Sequence, residues 1–181
     1  PSAVFATTIA SCTMFPRILL EVFLVNRQLF FPLLLPLASM AVFGVVMAFL
    51  LFRKRETIAA DVNLDDPFRL SPALKFGAFF ALVLLISKIA NIYFGQAGTY
   101  AASLVAGLAD VDAITLSLAT LAGNFAVGEG VAVAAITIAA MTNTLVKLSI
   151  TFILGTREFG SRVALIFLPM IGVGLLAILL F

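Results

Sequence analysis

The fold class that this sequence predicts is all-α, a polytopic helical membrane protein, and three observations carry the prediction. Mean hydropathy is +1.21, while 63% of the 181 residues are hydrophobic and only 11% are charged, far from the balance of a soluble globular domain. Five or six apolar stretches reach the roughly 20 residues needed to cross about 30 Å of hydrocarbon. These runs are unbroken, without the two-residue alternation of lipid-facing barrel strands. A single transmembrane domain over residues 1–181 with about six spans is expected. The chain is expected to be the C-terminal part of a longer protein, because it opens at Pro1 with neither Met nor a signal peptide.

The first span is expected over about Ala3 to Val25, carrying Pro16, Arg17 and Glu21, with Asn26-Arg27-Gln28 as a short turn. The second, about Leu29 to Phe52, has Pro32 and Pro36 near its start, where missing amide donors are best tolerated. Residues 53–71 mix both charge signs and form the one segment long enough for a real loop, placed in the cytoplasm by Arg53, Lys54 and Arg55. Ser71-Pro72 is a good helix start for the third span, which runs to about Phe94 with Lys88 and Asn91. Gly95 and Gly98 make a tight connection to a fourth segment, about Thr99 to Gly123, that holds Asp110 and Asp112. Gly128-Glu129-Gly130 precedes a fifth span, about Val131 to Leu154, and Arg157, Glu158 and Arg162 mark the turn into a sixth.

Two features complicate a simple count. Thr8-Ile9-Ala10 with Thr13 recurs as Thr137-Ile138-Ala139 with Thr142, and, after one inserted residue, Arg17 falls on Lys147, Leu24 on Leu154 and Arg27 on Arg157. The first and fifth spans are candidates for equivalents in a duplicated unit, as in many transporters. Counting six simple spans also puts Arg157 and Arg162 on the face opposite Arg53 to Arg55, which the positive-inside rule disfavours. A broken or re-entrant fourth element, entering and leaving on one side, removes the conflict and inverts spans five and six relative to one and two. Such backbone is allowed where it is buried in protein or lines a wet cavity.

Composition excludes several functions. There is no histidine, and Cys12 is the only cysteine, so no metal centre and no cofactor is expected. The basic residues form no nucleic-acid footprint, and no nucleophile elbow, P-loop or dinucleotide fingerprint occurs, so the chain is not expected to be an enzyme. Asp61, Asp65 and Asp66 fit no EF-hand and read as a solvated loop.

The charged residues inside apolar sequence are the candidate site. Each costs roughly 2.5–3.5 kcal/mol at the centre of a spanning helix, so it is kept only if paired, hydrated or used. Asp110 and Asp112 would point about 200° apart on a regular helix and can share a site only if the backbone unwinds, which Gly107 makes cheaper. Freed carbonyls and carboxylates would then offer the oxygen-rich surroundings that suit Na⁺, H⁺ or Mg²⁺, with Thr115 adding a hydroxyl. The plainer reading makes one aspartate a helix cap and the other a lysine's partner. Asn143 and Lys147, four apart, share a face, and a lysine near carboxylates can alternate between ion pair and free base; it can equally snorkel towards the interface. Arg17 and Glu21 read as an intrahelical structural pair, and Lys88 with Asn91 is undecided between site and structure. Within the spans Arg17, Lys88 and Lys147 balance Glu21, Asp110 and Asp112, as a closed network or a carrier would both require.

Met14-Phe15-Pro16-Arg17 with Leu19-Leu20-Glu21, Pro67-Phe68 with Pro72-Ala73-Leu74-Lys75-Phe76, Gly107 to Ala119, and Asn143-Thr144-Leu145 with Lys147 together carry a resemblance. Over nearly its whole length the chain resembles a bacterial membrane domain of unknown function that follows an MgtC/SapB-like region in longer proteins. It departs in one loop position, with Asp66 in place of Asn before Pro67-Phe68. The resemblance implies a multi-pass protein of the bacterial inner membrane whose N-terminal part is absent here, and it transfers no activity. The expected function is proton-coupled transport of a small cation through Asp110, Asp112, Thr115, Asn143 and Lys147. The rival is a regulatory or accessory membrane subunit, packed in a homo-oligomer or larger complex, whose buried charges are structural.

Overall fold

The computed structural model describes residues 2–52 and 70–180, and among them every regular element is an α-helix. The expected loop over residues 53–71 therefore lies, up to residue 69, outside the described residues. Five helices are long and apolar enough to cross a membrane. Helices α1 (Ser2–Cys12) and α2 (Met14–Val25) together make the first span, Ala3–Val25. Their seam follows from Pro16, which has no amide to offer the Cys12 carbonyl; Thr13 keeps helical backbone angles (φ −64°, ψ −17°), so the course of the span continues. Helix α3 (Arg27–Phe52) starts at once, because Asn26 Oδ1 accepts from the amides of Gln28 and Leu29 at 3.1 and 3.3 Å.

Helix α4 (Leu70–Ala109) is one element in hydrogen bonding but two in direction. Gly95 breaks it with φ +58° and ψ −139°, a conformation that glycine adopts without a Cβ penalty. The outgoing arm, 70–94, is the third span. The return arm, 96–109, doubles back along it, so that a Cβ on Gly98 would collide with the Ala90 carbonyl. Helix α5 (Val111–Gly123) follows after a single extended residue, Asp110 (φ −154°, ψ 127°). Helices α6 (Glu129–Leu154) and α7 (Arg157–Leu179) complete the bundle.

The return arm and α5 form a re-entrant hairpin. Its beginning and its end both sit at Asn91, which accepts from Thr99 Oγ1 at 3.1 Å and donates to the Ala126 carbonyl at 2.8 Å. Its tip at Asp110 and Asp112 meets Arg17, in the middle of the first span. Each arm is about 20 Å long at 1.5 Å per residue, enough to reach the middle of a 30 Å hydrocarbon layer and not to cross it. Both hairpin ends, Asn26 and the start of α6 thus lie at one membrane face. The opposite face gathers the start of α1 and the ends of α3 and α6, where Phe5 stacks edge-on against Phe49 at 5.2 Å and Thr7 and Ser11 share a groove with Leu154 and Gly155. Arg157 and Arg162 fall on the same face as the helix ends that flank residues 53–69. The topological conflict in the sequence disappears.

The inverted arrangement brings out a repeat longer than the one first visible. Ala3, Val4, Ala6, Thr8, Ile9, Ala10 and Thr13 recur identically 129 residues later as Ala132, Val133, Ala135, Thr137, Ile138, Ala139 and Thr142. Beyond the insertion the offset is 130 residues, and the capping Asn26 falls on the capping Thr156, whose Oγ1 accepts from the Phe159 amide at 3.2 Å. Met40 and Gly44 of α3 fall on Met170 and Gly174 of α7. These four residues meet at the contact between the two helices. A Cβ on Gly174 would lie 2.5 Å from Met40 Sδ, and a Cβ on Gly44 would lie 2.9 Å from Met170 Sδ. Such a reciprocal contact, residue i on j and j on i, is the mark of a two-fold relation. Thr8 Oγ1 bonds back to the Val4 carbonyl at 2.9 Å as Thr137 Oγ1 does to Val133 at 2.8 Å. The first two spans and the last two are one unit used twice, upside down relative to itself.

Candidate functional site at the hairpin tip

The site is built where the hairpin tip meets the proline-interrupted first span. The chain turns at Asp110 because its carboxylate caps α5: Oδ1 accepts from the Asp112 amide at 3.0 Å, while the Asp110 amide still closes the return arm on the Ala106 carbonyl at 2.8 Å. Asp112 then occupies the first turn of α5, where unpaired backbone amides favour negative charge. The return arm brings its carbonyl end to the same place. The tip therefore presents amide ends and carbonyl ends side by side, the arrangement of discontinuous helices at ion sites in transporters.

Arg17 answers this charge. Its Nη2 donates to Asp112 Oδ1 at 2.7 Å, and its Nε lies 3.9 Å from Glu21 Oε1. The sequence suggested the Glu21 pairing alone; the shorter contact is to Asp112, across 95 residues of chain. The Arg17 side chain is 56% exposed, against 18% for Asp112 and 21% for Glu21. Arg17 lies nine residues from Asn26, about 14 Å from that helix end and so near the midplane. An arginine so exposed at that depth faces water or further protein, since lipid there is too costly. Two buried oxygens, Glu21 Oε2 beside Arg17 and Thr115 Oγ1 one turn along α5 from Asp112, have no hydrogen-bond partner among the described residues.

The other expected residues are distributed as follows. Asn143 Nδ2 donates to the Gly107 carbonyl at 3.4 Å, joining α6 to the return arm just before the tip. Lys147 Nζ rests 3.5 Å from Met14 Sδ, and no carboxylate lies within 4 Å of it among the described residues. Asp110, Asp112 and Arg17 are thus brought together, with Asn143 bonded to the return arm just before them, while Thr115 is buried one turn further along α5 and Lys147 touches no acid among the described residues. Lys88 is exposed on the outgoing arm. Asn91, its neighbour on the same face, holds the hairpin ends and belongs to the scaffold.

Gly107 has a different task from the expected one. The backbone there stays helical, and the break falls three residues later. A Cβ at Gly107 would lie 2.7 Å from the Ala139 carbonyl and 3.1 Å from Thr142 Cβ, so glycine lets the return arm press on α6. Arg17 and Glu21 as neighbours of Asp112 were not apparent from local spacing; Pro16, interrupting the opposite helix at the same level, was the available signal.

An uncharacterized protein of Aquifex aeolicus is 29% identical over 157 residues, covering 85% of this chain and 68% of that protein. No solved structure matches the chain. The family described as a domain of unknown function, DUF4010, matches residues 1–155, so a multi-pass helical membrane protein with a charged re-entrant tip belongs to that family.

Proposed function

We propose that the domain moves a small cation across the membrane in exchange for, or together with, protons, using the hairpin tip as its site. The observation that carries this reading is the junction of two interrupted helices near the midplane, with Arg17 held between the carboxylates of Asp112 and Glu21. A hard cation such as Na⁺ or Mg²⁺ would be taken by the Asp110 and Asp112 carboxylates, the Thr115 hydroxyl and carbonyls at the end of the return arm. Binding at Asp112 displaces Arg17, which has Glu21 as its second acceptor, so no charge is stranded when the pair opens. Asn143 positions the return arm through the Gly107 carbonyl. Lys147 supplies a second positive charge to the region and can compete for the same carboxylates. Cargo enters from water, as the exposure of Arg17 suggests. The domain acts without covalent chemistry and needs no cofactor. Residence in the bacterial inner membrane, and attachment to an MgtC/SapB-like region, belong to the same proposal and follow from the resemblance of the sequence.

One observation favours a second reading. The Arg17–Asp112 contact ties the hairpin to the first span at 2.7 Å, which also suits a permanent structural pair in a regulatory or accessory subunit. Reconstitution separates the two. In proteoliposomes under imposed Na⁺, K⁺ or Mg²⁺ gradients, internal pH should move with wild type and stay still with folded Asp112→Asn. Silence of the wild type under every gradient rejects transport and leaves the accessory reading, which partner capture in native membranes then examines.

A further inference from the structure

The two-fold repeat assigns each part of the seat beneath the hairpin a mate elsewhere in the bundle. On α6 the return arm covers Ala135, Ala139 and Thr142, all buried, with Gly107 pressed on Ala139 and Thr142. Their mates on the first span, Ala6, Ala10 and Thr13, are all exposed. Lys147 is the mate of Arg17 and lies nine residues from the capping Thr156, as Arg17 lies nine from the capping Asn26. The two cations stand at equal depth from opposite faces. Arg17 meets Asp112 at the hairpin tip, whereas Lys147 meets no carboxylate among the described residues. Between the first span and α6, on the face opposite the hairpin's mouth, runs a groove of about 350 Å³ lined by Thr7, Ser11, Lys147, Ile150 and Leu154. The mates of Lys147, Ile150 and Leu154 are Arg17, Leu20 and Leu24, on the helix that bears the hairpin tip.

We infer that this groove is the seat of a second re-entrant helix hairpin, entering from the opposite membrane face, with an acidic residue at its tip that pairs with Lys147. The polypeptide itself supplies it, from outside residues 1–181. Three points specify the occupant. The exposed Ala6–Ala10–Thr13 face repeats, residue for residue, a face that closes on a glycine-bearing helix arm. Lys147, with no carboxylate within 4 Å among the described residues, can take an anion at the level where its mate finds one. The Aquifex aeolicus relative extends beyond the matched stretch, which covers 68% of it, so chain to build such an element exists in a similar protein. A lipid acyl chain would fill the apolar part of the groove but offers Lys147 no anion near the midplane. With both hairpins seated, Asp112 and its counterpart would meet Arg17 and Lys147 across the two-fold axis. The inference rests on the repeat and stands whether or not the domain transports anything.

The test is photo-crosslinking in the full-length protein in its native membrane, with p-benzoylphenylalanine introduced at Ala10, on the exposed first-span face next to Ser11 of the groove, or at Leu154 on its α6 wall. Both positions are exposed, Leu154 at 82%, so neither replacement disturbs packing among the described residues. The expected result is one and the same intramolecular adduct from both sites, mapped by mass spectrometry to a segment outside residues 1–181 that contains an Asp or Glu. Replacing that acid by its amide should leave Lys147 open to amine-reactive labelling at least several-fold faster. Adducts only to lipid, to a second copy, to another protein or to residues within 1–181 would overturn the inference, as would adducts from the two sites to unrelated segments.

Discussion

Asn91 donates to the carbonyl of Ala126 at 2.8 Å, and with its oxygen it also holds Thr99. One side chain at the end of the third span therefore gathers both feet of the hairpin whose tip carries the charged site. Asn91→Leu should strand the Ala126 carbonyl and release Thr99, at about 1–3 kcal/mol for the orphaned polar group. Hydrogen exchange should accelerate in residues 124–128 and leave α3 and α7 unchanged. Unaltered exchange there would mean that the hairpin is held by its tip alone.

Arg17 and Asp112 should show strong non-additivity. Each single neutralisation, Arg17→Gln or Asp112→Asn, leaves an opposite charge poorly compensated near the midplane, while the double variant removes both. With Arg17 more than half exposed, screening holds the expected coupling to about 1–2 kcal/mol in a double-mutant cycle followed by unfolding in detergent. On the transport reading proposed above, cation flux should stay lost in the double variant even as stability returns. Additive losses would show that the pair has no mutual stabilisation.

Gly107 and Gly172 make a matched comparison. A methyl at Gly107 meets backbone of Ala139, whereas one at Gly172 meets nothing within 4 Å. Gly107→Ala should destabilise by about 1–3 kcal/mol through overpacking. Gly172→Ala should be neutral or stabilising by up to about 1 kcal/mol from helix propensity. Equal melting temperatures for the two variants would contradict the close approach of the return arm to α6.

The reciprocal contact on the two-fold axis predicts reciprocal rescue. Gly174→Ala places its methyl against Met40, and Gly44→Ala against both Cys12 and Met170, so each should lower the melting temperature by a few degrees. Met40→Val should restore the first and not the second, and Met170→Val combined with Cys12→Ala the second and not the first. Rescue without this pairing would rule out the two-fold contact.

Topology can be read chemically after Cys12 is replaced by Ala. Glu129→Cys and Ser161→Cys are both exposed and lie at opposite membrane faces in the re-entrant arrangement. In sealed right-side-out vesicles an impermeant maleimide should label the first, and label the second only after permeabilisation. Labelling of the second and not the first before permeabilisation would convert the hairpin into a full crossing.

Much of the fold was legible because membrane spans are written in the length of apolar runs, which needs no knowledge of partners. The break near Asp110 and Asp112 was legible for a similar reason: two carboxylates two residues apart cannot share a helical face. The duplicated Thr-Ile-Ala strings pointed to the repeat, and the Met40–Gly44 and Met170–Gly174 echo lay in plain view at the same offset. Which cation meets Asp112 was not legible, because Arg17 and Lys147 stand in equivalent sequence settings and only the packing of α2 beside α5 selects between them. Gly107 was misassigned to unwinding for the same cause. A glycine that spares a bend and a glycine that admits a neighbouring helix look alike until the neighbour is known.

The close approach of Gly107 to Ala139 has a consequence for biogenesis. The hairpin arms are too short to span, and at Asp110 the backbone leaves the helical ladder with polar groups that hydrocarbon cannot satisfy. Their cover on one side is α6, which is synthesised afterwards. The hairpin must therefore wait at the membrane surface, or in the shelter of the insertion machinery, until the roughly thirty further residues up to Leu154 have emerged, and then slide inward against a helix that has just arrived. Assembly of the charged tip is a late, post-insertion event, and a ribosome stalled before residue 139 would leave the first three spans in place with the site unbuilt.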